Sequence, residues 1–208
     1  MSESKAAKTE KKLLACAKAE FLENGFAGAN MRAIAQTAGM TTGAIYRYFA
    51  DKNALFEAIV GPTANEIKHY FIELTNDQMT MLELKKQAAE FTDMEEGMRG
   101  VFDFIYERFD VFDLLINRSA GSSWENYIDS LVAFDLASTQ AYIATMMQVG
   151  LLEQSPPANH LAILVKQSYK QIFEIVASRM NREEALGYLQ LLIPFLYGGW
   201  SAILGKRP

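Results

Sequence analysis

Four residues that favour helix ends lie so close together that only short helices fit between them. Asn30 predicts a helix start and Gly39 a helix stop, because a short polar side chain caps free amides and glycine adopts the left-handed conformation that ends many helices. Thr41 predicts a second start after one intervening residue, and Asp51 caps the helix that follows. The pattern therefore predicts a short helix, a tight turn and a second short helix from about Thr42 to Tyr48.

The rest of the chain is also predicted to be helical, because apolar residues recur every three or four positions and no stretch alternates long enough for a strand. The first helix is predicted from Lys5 to Glu23. A fourth helix is predicted to break or kink at Gly61-Pro62, since proline disfavours helix continuation. Later helices are predicted over residues 123–149, 156–180 and 181–205, the second of them capped by Ser155 and the third by Asn181 with Glu184.

The predicted break divides the chain of 208 residues into a domain of 1–60 and a domain of 61–208. The first 60 residues carry eight Lys or Arg against six Asp or Glu, whereas the whole chain has a net charge of −5. A basic head on an acidic body suits a protein that touches phosphate at one end only. The single cysteine excludes an internal disulfide, and no apolar run reaches the roughly 20 residues that span a bilayer, so we expect a cytoplasmic protein.

Two short helices joined by a tight glycine turn and packed on a longer first helix are typical of a helix-turn-helix. At 100° per residue, one side of the second short helix presents groups that can bond base edges or phosphates, namely Thr42, Gly43, Tyr46 and Arg47. Gly43 would let the backbone approach DNA closely. From spacing alone, a purely structural three-helix corner is an equal alternative.

The residues that carry a family resemblance are Gly25-Phe26 and the run NMRAIAQTAGMTTGAIYRYFADKNAL at positions 30–55. Over about residues 10–60 the chain resembles the TetR family, the tetracycline-repressor-like regulators. The resemblance implies an all-α protein with an N-terminal three-helix helix-turn-helix DNA-binding domain and a C-terminal helical-bundle domain for ligand binding and dimerisation. It implies a homodimer that binds a palindromic double-stranded DNA operator and is released by a small molecule.

Carried over position by position, the resemblance implies DNA contacts from Asn30, Arg32, Thr41, Thr42, Gly43, Tyr46, Arg47, Tyr48 and Lys52. It assigns Tyr46, Tyr48 and Lys52 to phosphates. Relatives often carry a long side chain at position 42 and an acidic one at position 33, where this chain has Thr42 and Ala33. The operator sequence therefore stays open.

The long helix predicted over 123–149 carries Asp135 and Ser138 within an apolar arc. A buried carboxylate needs a partner, so Asp135 either pairs with an arginine or backbone amide in the core or meets a donor or cation on a ligand. Aromatic and methionine side chains suit an apolar or aromatic small-molecule effector, and they suit a core equally well. The candidate ligand-binding residues are Phe102, Trp124, Tyr127, Leu131, Asp135, Ser138 and Tyr142.

Long apolar stripes run along the last two predicted helices. The resemblance implies a four-helix dimer contact there, while packing of both stripes on the chain's own core is the alternative. The candidate dimerisation residues are Leu161, Leu164, Ile172, Leu189, Leu192, Leu196 and Trp200. Pro194 is predicted to kink the last helix, and Gly198-Gly199 would let a neighbouring helix approach closely.

Sites of other kinds are not predicted. No Ser-His-Asp, Cys-His or glycine-rich phosphate-loop pattern occurs, and His69 and His160 lack partners at metal-ligand spacing. We therefore predict a ligand-responsive repressor with no catalytic residue, no metal and no cofactor. Activation, or DNA binding without ligand control, is the first alternative. A helical enzyme or carrier is the second, and it predicts no DNA affinity.

Overall fold

The computed structural model describes residues 4–205, and this part of the chain contains helices and no strand, which confirms the all-α prediction. The helices are α1 (Lys5–Gly28), α2 (Met31–Ala38), α3 (Thr42–Ile45), α4 (Lys52–Lys85), α5 (Phe91–Glu107), α6 (Phe109–Asn117), α7 (Tyr127–Gln148), α8 (Ala158–Ala177) and α9 (Arg182–Leu204). They form two compact units. The first unit comprises residues up to 65 together with 108–127, and the second comprises 66–107 together with the chain from 128 onward.

The four helix-end residues adopt the predicted roles. The Asn30 side chain accepts a hydrogen bond from the amide of Arg32 at 2.8 Å, and Gly39 ends α2 at φ 71° and ψ 36°. The Thr41 hydroxyl accepts from the amide of Ala44 at 3.2 Å, and Asp51 accepts from the amide of Ala54 at 2.7 Å. Each of these bonds satisfies an amide that the helix itself leaves free. Local side-chain chemistry therefore sets the lengths of α2 and α3.

The first helix runs beyond its predicted end. It continues to Gly28, but Gly25 at φ 67° and ψ 170° is not helical, so the chain bends where glycine predicted a stop. The amide of Phe26, just after the bend, donates to the carbonyl oxygen of Arg118 at 2.8 Å. The third helix is shorter than predicted, because only residues 42–45 are helical and the chain turns over residues 46–48.

The helix does not break at Gly61-Pro62, because α4 continues through both residues to Lys85, so that part of the prediction is wrong. Proline strains a helix partly by pressing on the Cβ atom of the preceding residue, and Gly61 has none. Val60, Ala64 and other residues around the proline are buried in the first unit, and that packing holds the helix despite the lost backbone hydrogen bond. The boundary between the units consequently lies within the continuous helix α4, between residues 65 and 66, and not at a break in the helix.

Residues 108–127 belong to the first unit because they pack on α1 and on the start of α4. Arg118 Nε lies 2.8 Å from Asp113 Oδ2 in a largely buried ion pair, and the same guanidinium reaches the carbonyl of Glu23. Asn53 and Ser123 exchange two hydrogen bonds of 2.9 Å, one from each residue. Sequence periodicity indicated none of these contacts, which is why the predicted division at residue 60 differs from the observed one.

Several helix ends in the later part of the chain also differ from prediction. Ser122 and Glu125 bond amides of the turn before α7, so they shape that turn and the helix begins later, at Tyr127. Helix α8 begins at Ala158 with Pro157, not Ser155, at its N-cap. The capping box of Asn181 and Glu184 is confirmed. Pro194 lies inside α9, which is continuous to Leu204.

Candidate nucleic-acid interface and ligand cavity

The short helix α3 has one face in the core and one in solvent. Ile45 is fully buried, and it packs where α2 presents Ile34, Ala35 and Ala38. On the other face Tyr46 is 51% exposed, and Gly43, Arg47 and Tyr48 are also exposed. Exposed tyrosines and an arginine around a one-turn helix are hydrogen-bonding groups that the fold itself does not use. This surface can meet base edges and phosphates.

Gly43 has no steric reason within the chain to be glycine. A Cβ atom built on it would meet no other atom within 4 Å, and its φ is not positive. Gly39, in contrast, needs glycine because of its left-handed conformation. The absence of a side chain at Gly43 therefore leaves room for a surface outside the chain.

The remaining predicted DNA contacts fall into two groups. Arg32 is exposed, as are Asn30 and Thr41, although both of these side chains also cap helices. Thr42 is half-buried at the start of α3. All of them lie in the first unit near the turn between α2 and α3, so the structure groups these predicted residues on one local motif.

Lys52 is placed differently from its predicted phosphate contact. Its ammonium donates to the carbonyl oxygens of Phe26 at 2.6 Å, Ala29 at 3.2 Å and Ala27 at 3.3 Å, and it lies 4.6 Å from the Phe26 ring centroid. An ammonium has three protons, and here all three have acceptors at the end of α1. In this geometry Lys52 caps the end of α1, a role that no local sequence signal indicates, and its phosphate contact stays a prediction.

The second unit contains a cavity of about 520 Å³. Five helices line the cavity, and each contributes residues spaced three or four positions apart, so each presents one face to it. The lining residues are Phe71, Leu74, Thr75 and Gln78 of α4; Asp93, Met94, Gly97, Met98 and Val101 of α5; Asp135, Ser138, Thr139, Tyr142 and Met146 of α7; Val165, Ser168, Tyr169 and Ile172 of α8; and Leu196, Tyr197, Trp200, Ser201 and Leu204 of α9. Ala88, Ala89, Glu90 and Gly205 complete the wall. Ligand pockets typically have this volume and this mixture of apolar and polar groups.

Three of the seven residues predicted to bind a ligand lie at this cavity. Asp135, Ser138 and Tyr142 line the cavity, but the other four predicted ligand residues do not. Phe102 and Leu131 are buried in the core of the second unit, whereas Trp124 and Tyr127 belong to the first unit. The prediction treated one long apolar arc as a single wall, and the cavity uses only the part of α7 after Phe134. The walls from α4, α5, α8 and α9 were missed, because residues distant in sequence meet only in the folded chain.

Polar groups in the cavity wall differ in their surroundings. Burial raises the pKa of the Asp135 carboxyl, and a hydrogen bond with the Thr139 side chain partly opposes that rise. The Tyr142 hydroxyl accepts a hydrogen bond from the amide of Ala89 at 3.1 Å, so it holds the segment before α5 against α7. Trp200 donates to the Ser168 hydroxyl at 3.3 Å. Among the described residues, no group of three or more His, Cys, Asp and Glu could hold a metal ion.

The predicted dimerisation residues are mostly core residues of their own unit. Five of the seven are buried within the chain, namely Leu161, Ile172, Leu189, Leu192 and Leu196, and Trp200 lines the cavity. Leu164 is exposed, as is its neighbour Ile163. The largest exposed apolar groups of α9 are Leu191 at 74% and Phe195 at 65%, which were not predicted. Helix α9 is apolar on nearly every side, so periodicity could not say which stripe faces the core.

Helix α9 has two further properties. Within residues 4–205 it is the one helix long and apolar enough to cross a membrane by length and composition, although no run of the sequence suggested a span. Its exposed face also includes Gly187, Gly198 and Gly199, where an added Cβ atom would meet nothing within 4 Å. A long apolar face with small residues is open to close contact with another helix.

Comparison with known proteins finds a family match within the first 60 residues. Residues 13–59 match the family described as bacterial regulatory proteins, tetR family. The HTH-type transcriptional repressor BepR of Brucella suis biovar 1 (strain 1330) is 30% identical over 112 residues, which are 51% of this chain and 54% of that protein. The chain thus spans about half the length of this curated relative.

Two solved structures share the fold over nearly the whole chain. NalD, the secondary repressor of the MexAB-OprM multidrug efflux pump in Pseudomonas aeruginosa, covers 98% of this chain and 99% of its own length at 16% identity, with a TM-score of 0.64. A structure of SmeT in complex with triclosan covers 92% of this chain and 91% of its own length at 17% identity, also with a TM-score of 0.64. At such identities the likeness concerns the arrangement of helices.

Proposed function

Because residues 13–59 match the tetR family of bacterial regulatory proteins, we propose that the chain is a TetR-type transcriptional regulator that binds an operator and is released by a small molecule. The observation that carries the proposal is the solvent face of α3, where Gly43, Tyr46, Arg47 and Tyr48 are exposed beside a correctly capped turn. The fold does not use the hydrogen-bonding groups of these side chains, so a contact with DNA is proposed to explain why they are present on the surface. Repression is the preferred outcome, since the curated relative BepR is named a repressor.

The proposed assembly is a homodimer on a palindromic site. One short helix contacts too few bases to select a site, and helix-turn-helix dimers place two such helices about 34–36 Å apart in successive major grooves. The surface proposed for the dimer comprises the exposed apolar residues of the last two helices, namely Leu191 and Phe195 of α9 and Ile163 and Leu164 of α8. A partner copy would cover apolar side chains that otherwise face water.

The proposed effector site is the cavity of the second unit. Its aromatic and methionine lining suits an apolar or aromatic molecule, and SmeT, a structure of similar fold, is complexed with triclosan. Helix α4 carries cavity residues such as Phe71 and also extends into the first unit, so one continuous helix belongs to both units. An effector acts only through its different affinity for the DNA-binding and the released state. A coupling of about 1–3 kcal/mol would weaken operator binding roughly 5- to 150-fold.

The experiment that tests DNA binding is selection of bound duplexes from a random pool with the full-length chain. We expect enrichment of a two-fold symmetric motif, and we expect Arg47→Ala to lose or change it. Arg99→Ala removes the same charge from an exposed arginine of the second unit that pairs with Glu95, so it should leave the motif unchanged. Failure to enrich any motif would favour a helical enzyme or carrier.

The dimer is tested separately by sedimentation. Phe195→Glu should dissociate the assembly and remove operator binding, because it places a charge in the proposed apolar contact. Leu84→Glu is a matched control, since Leu84 at the end of α4 is also exposed. An unchanged sedimentation coefficient for Phe195→Glu would move the interface to another surface.

A further inference from the structure

The charge of the cavity wall is one-sided. Three carboxylates line it, from Glu90, Asp93 and Asp135, and none of the described lining residues is Lys, Arg or His. A cavity that takes a fatty acid or another organic anion needs at least one cationic or strongly donating group to replace water around the anion. The described lining residues instead carry negatively charged groups. The cavity is therefore suited to neutral or positively charged molecules.

Two of the three carboxylates have structural roles. Asp93 accepts a hydrogen bond from the amide of Glu90 at 2.8 Å, so it caps the start of α5. The Glu90 side chain is bonded by Gln87. Both acids are exposed, and their presence at the cavity is explained by the turn that precedes α5.

Asp135 has no comparable role in the fold. It lies within α7, away from either helix end, and its hydrogen-bond partner is Thr139 on the next turn of the same helix. A hydroxyl does not neutralise a carboxylate, and burial disfavours the charged form at this position. Asparagine could keep the bond to Thr139 without that cost. An aspartate at this place is explained if a positive charge occupies the cavity beside it.

The aromatic residues of the wall suit the same kind of ligand. The lining includes Phe71, Tyr142, Tyr169, Tyr197 and Trp200, and the rings of Phe71 and Tyr169 meet edge to face at 5.6 Å between centroids. Aromatic faces attract cations, most strongly where water is excluded. Flexible methionines, Met94, Met98 and Met146, adapt to the apolar parts of a ligand. Carboxylate and aromatic rings together recognise an organic cation better than either does alone.

We propose that the cavity binds apolar organic cations, such as quaternary ammonium or phosphonium compounds with aromatic substituents, and that Asp135 is their counter-charge. This inference rests on the proposed function for the role of the cavity as an effector site. It does not depend on DNA, because binding to the isolated protein can be measured directly.

The test uses two probes of nearly the same shape and opposite charge, the tetraphenylphosphonium cation and the tetraphenylborate anion. Trp124→Phe leaves Trp200 in the cavity wall as the chain's remaining tryptophan, so its fluorescence reports occupancy. Calorimetry on the unmodified chain provides a second measurement. We expect the cation to bind at least about tenfold more tightly than the anion, because aromatic rings and carboxylates attract a cation and repel an anion.

The decisive variant is Asp135→Asn, which should weaken binding of the cation by about tenfold or more and leave binding of the anion unchanged or stronger. Asp129→Asn makes the same substitution on the same helix, but Asp129 is exposed, pairs with Lys166 at 2.6 Å and does not line the cavity. It should change neither affinity. The melting temperature of Asp135→Asn should stay the same or rise, because the amide avoids the cost of a buried charge. If that variant fails to fold, the comparison of the two probes on the unmodified chain still decides the ligand class.

Preference for the anion, no saturable binding of the cation, or equal cation binding by a folded Asp135→Asn would each overturn the inference. Failure of the proposed function has a different signature. In that case the cation binds through Asp135 but does not alter binding to a selected operator. Release of the operator by neutral compounds alone would keep the proposed function and reject the cationic ligand.

Discussion

The two units of this chain are built by different kinds of interaction. In the first unit, side chains such as Asn30, Thr41 and Asp51 bond amides two or three positions away, so the helix-turn-helix is specified locally. In the second unit the cavity is assembled from five helix faces between residues 71 and 205. The geometry of the helix-turn-helix therefore depends on neighbouring residues, whereas the shape of the cavity depends on residues far apart in the sequence. The difference suits the proposed function, in which the first unit binds DNA and the second binds a small molecule.

The two units also treat buried charge differently. The first unit pairs its charges, as Arg118 pairs with Asp113 and as the Lys52 ammonium bonds three carbonyls. The second unit leaves the half-buried Asp135 with only a hydroxyl partner among its described contacts. Paired charges stabilise a fixed geometry, while a carboxylate without a cation lowers stability until a ligand supplies one. The predictions below test this contrast.

The largest effect is expected from Arg118→Met. The substitution removes the guanidinium that pairs with the largely buried Asp113 carboxylate, which should lower the free energy of unfolding by about 3–5 kcal/mol. Urea denaturation measures the loss. Arg99→Met is the control, because Arg99 makes an exposed pair with Glu95 on α5 and should cost no more than about 0.5 kcal/mol. Equal losses in the two variants would mean that the first unit does not depend on its buried pair.

Lys52→Met should lower the free energy of unfolding by about 1.5–3 kcal/mol, since charged hydrogen bonds to the end of α1 are lost while the apolar stem is kept. The dependence of operator affinity on salt should not change, because an ammonium engaged by three carbonyls releases no counterion from DNA. The opposite pattern, unchanged stability with a salt slope reduced by about one, would restore the phosphate contact implied by the family resemblance.

These two predictions also show where sequence reasoning reached its limit. The caps at Asn30, Gly39 and Thr41 were predictable because each depends on residues within a few positions. The Lys52 contacts were not, because its partner Phe26 lies 26 positions away, and the contact of Arg118 with Glu23 spans 95 positions; no periodicity records either. The helix through Pro62 was mispredicted for the same reason, since burial around it outweighs a local preference. In the cavity, Asp135 was recognisable as a polar residue in an apolar arc, but the facing walls were not.

The affinity for tetraphenylphosphonium should depend on pH through Asp135. Burial raises the pKa of this carboxyl, so it takes up a proton at a higher pH than an exposed aspartate does. As pH falls through that raised pKa, the counter-charge disappears and the affinity should fall by up to about tenfold per pH unit. The other titratable groups lining the cavity are Glu90, Asp93, Tyr142, Tyr169 and Tyr197.

Titrations of the probe between pH 4 and pH 8 measure this dependence, and Asp135→Asn should flatten it. A slope that persists in Asp135→Asn would assign the dependence to Glu90 and Asp93 instead. Tyr142 is not expected to contribute in this range, because burial raises its pKa further above its already high ordinary value.

The smallest expected effect on stability has the clearest meaning for function. Gly43→Ala should stabilise the fold slightly, by about 0.5 kcal/mol, because alanine favours the helix and the new methyl group meets no atom of the chain within 4 Å. Gly39→Ala should instead destabilise it by about 1–2 kcal/mol, since φ 71° is unfavourable for a residue with a side chain. If Gly43 allows α3 to approach DNA, Gly43→Ala should bind a selected operator more weakly although it is the more stable protein. Loss of affinity with a gain of stability separates a residue kept for recognition from one kept for folding, and full operator affinity in Gly43→Ala would show that no DNA surface comes close to this position.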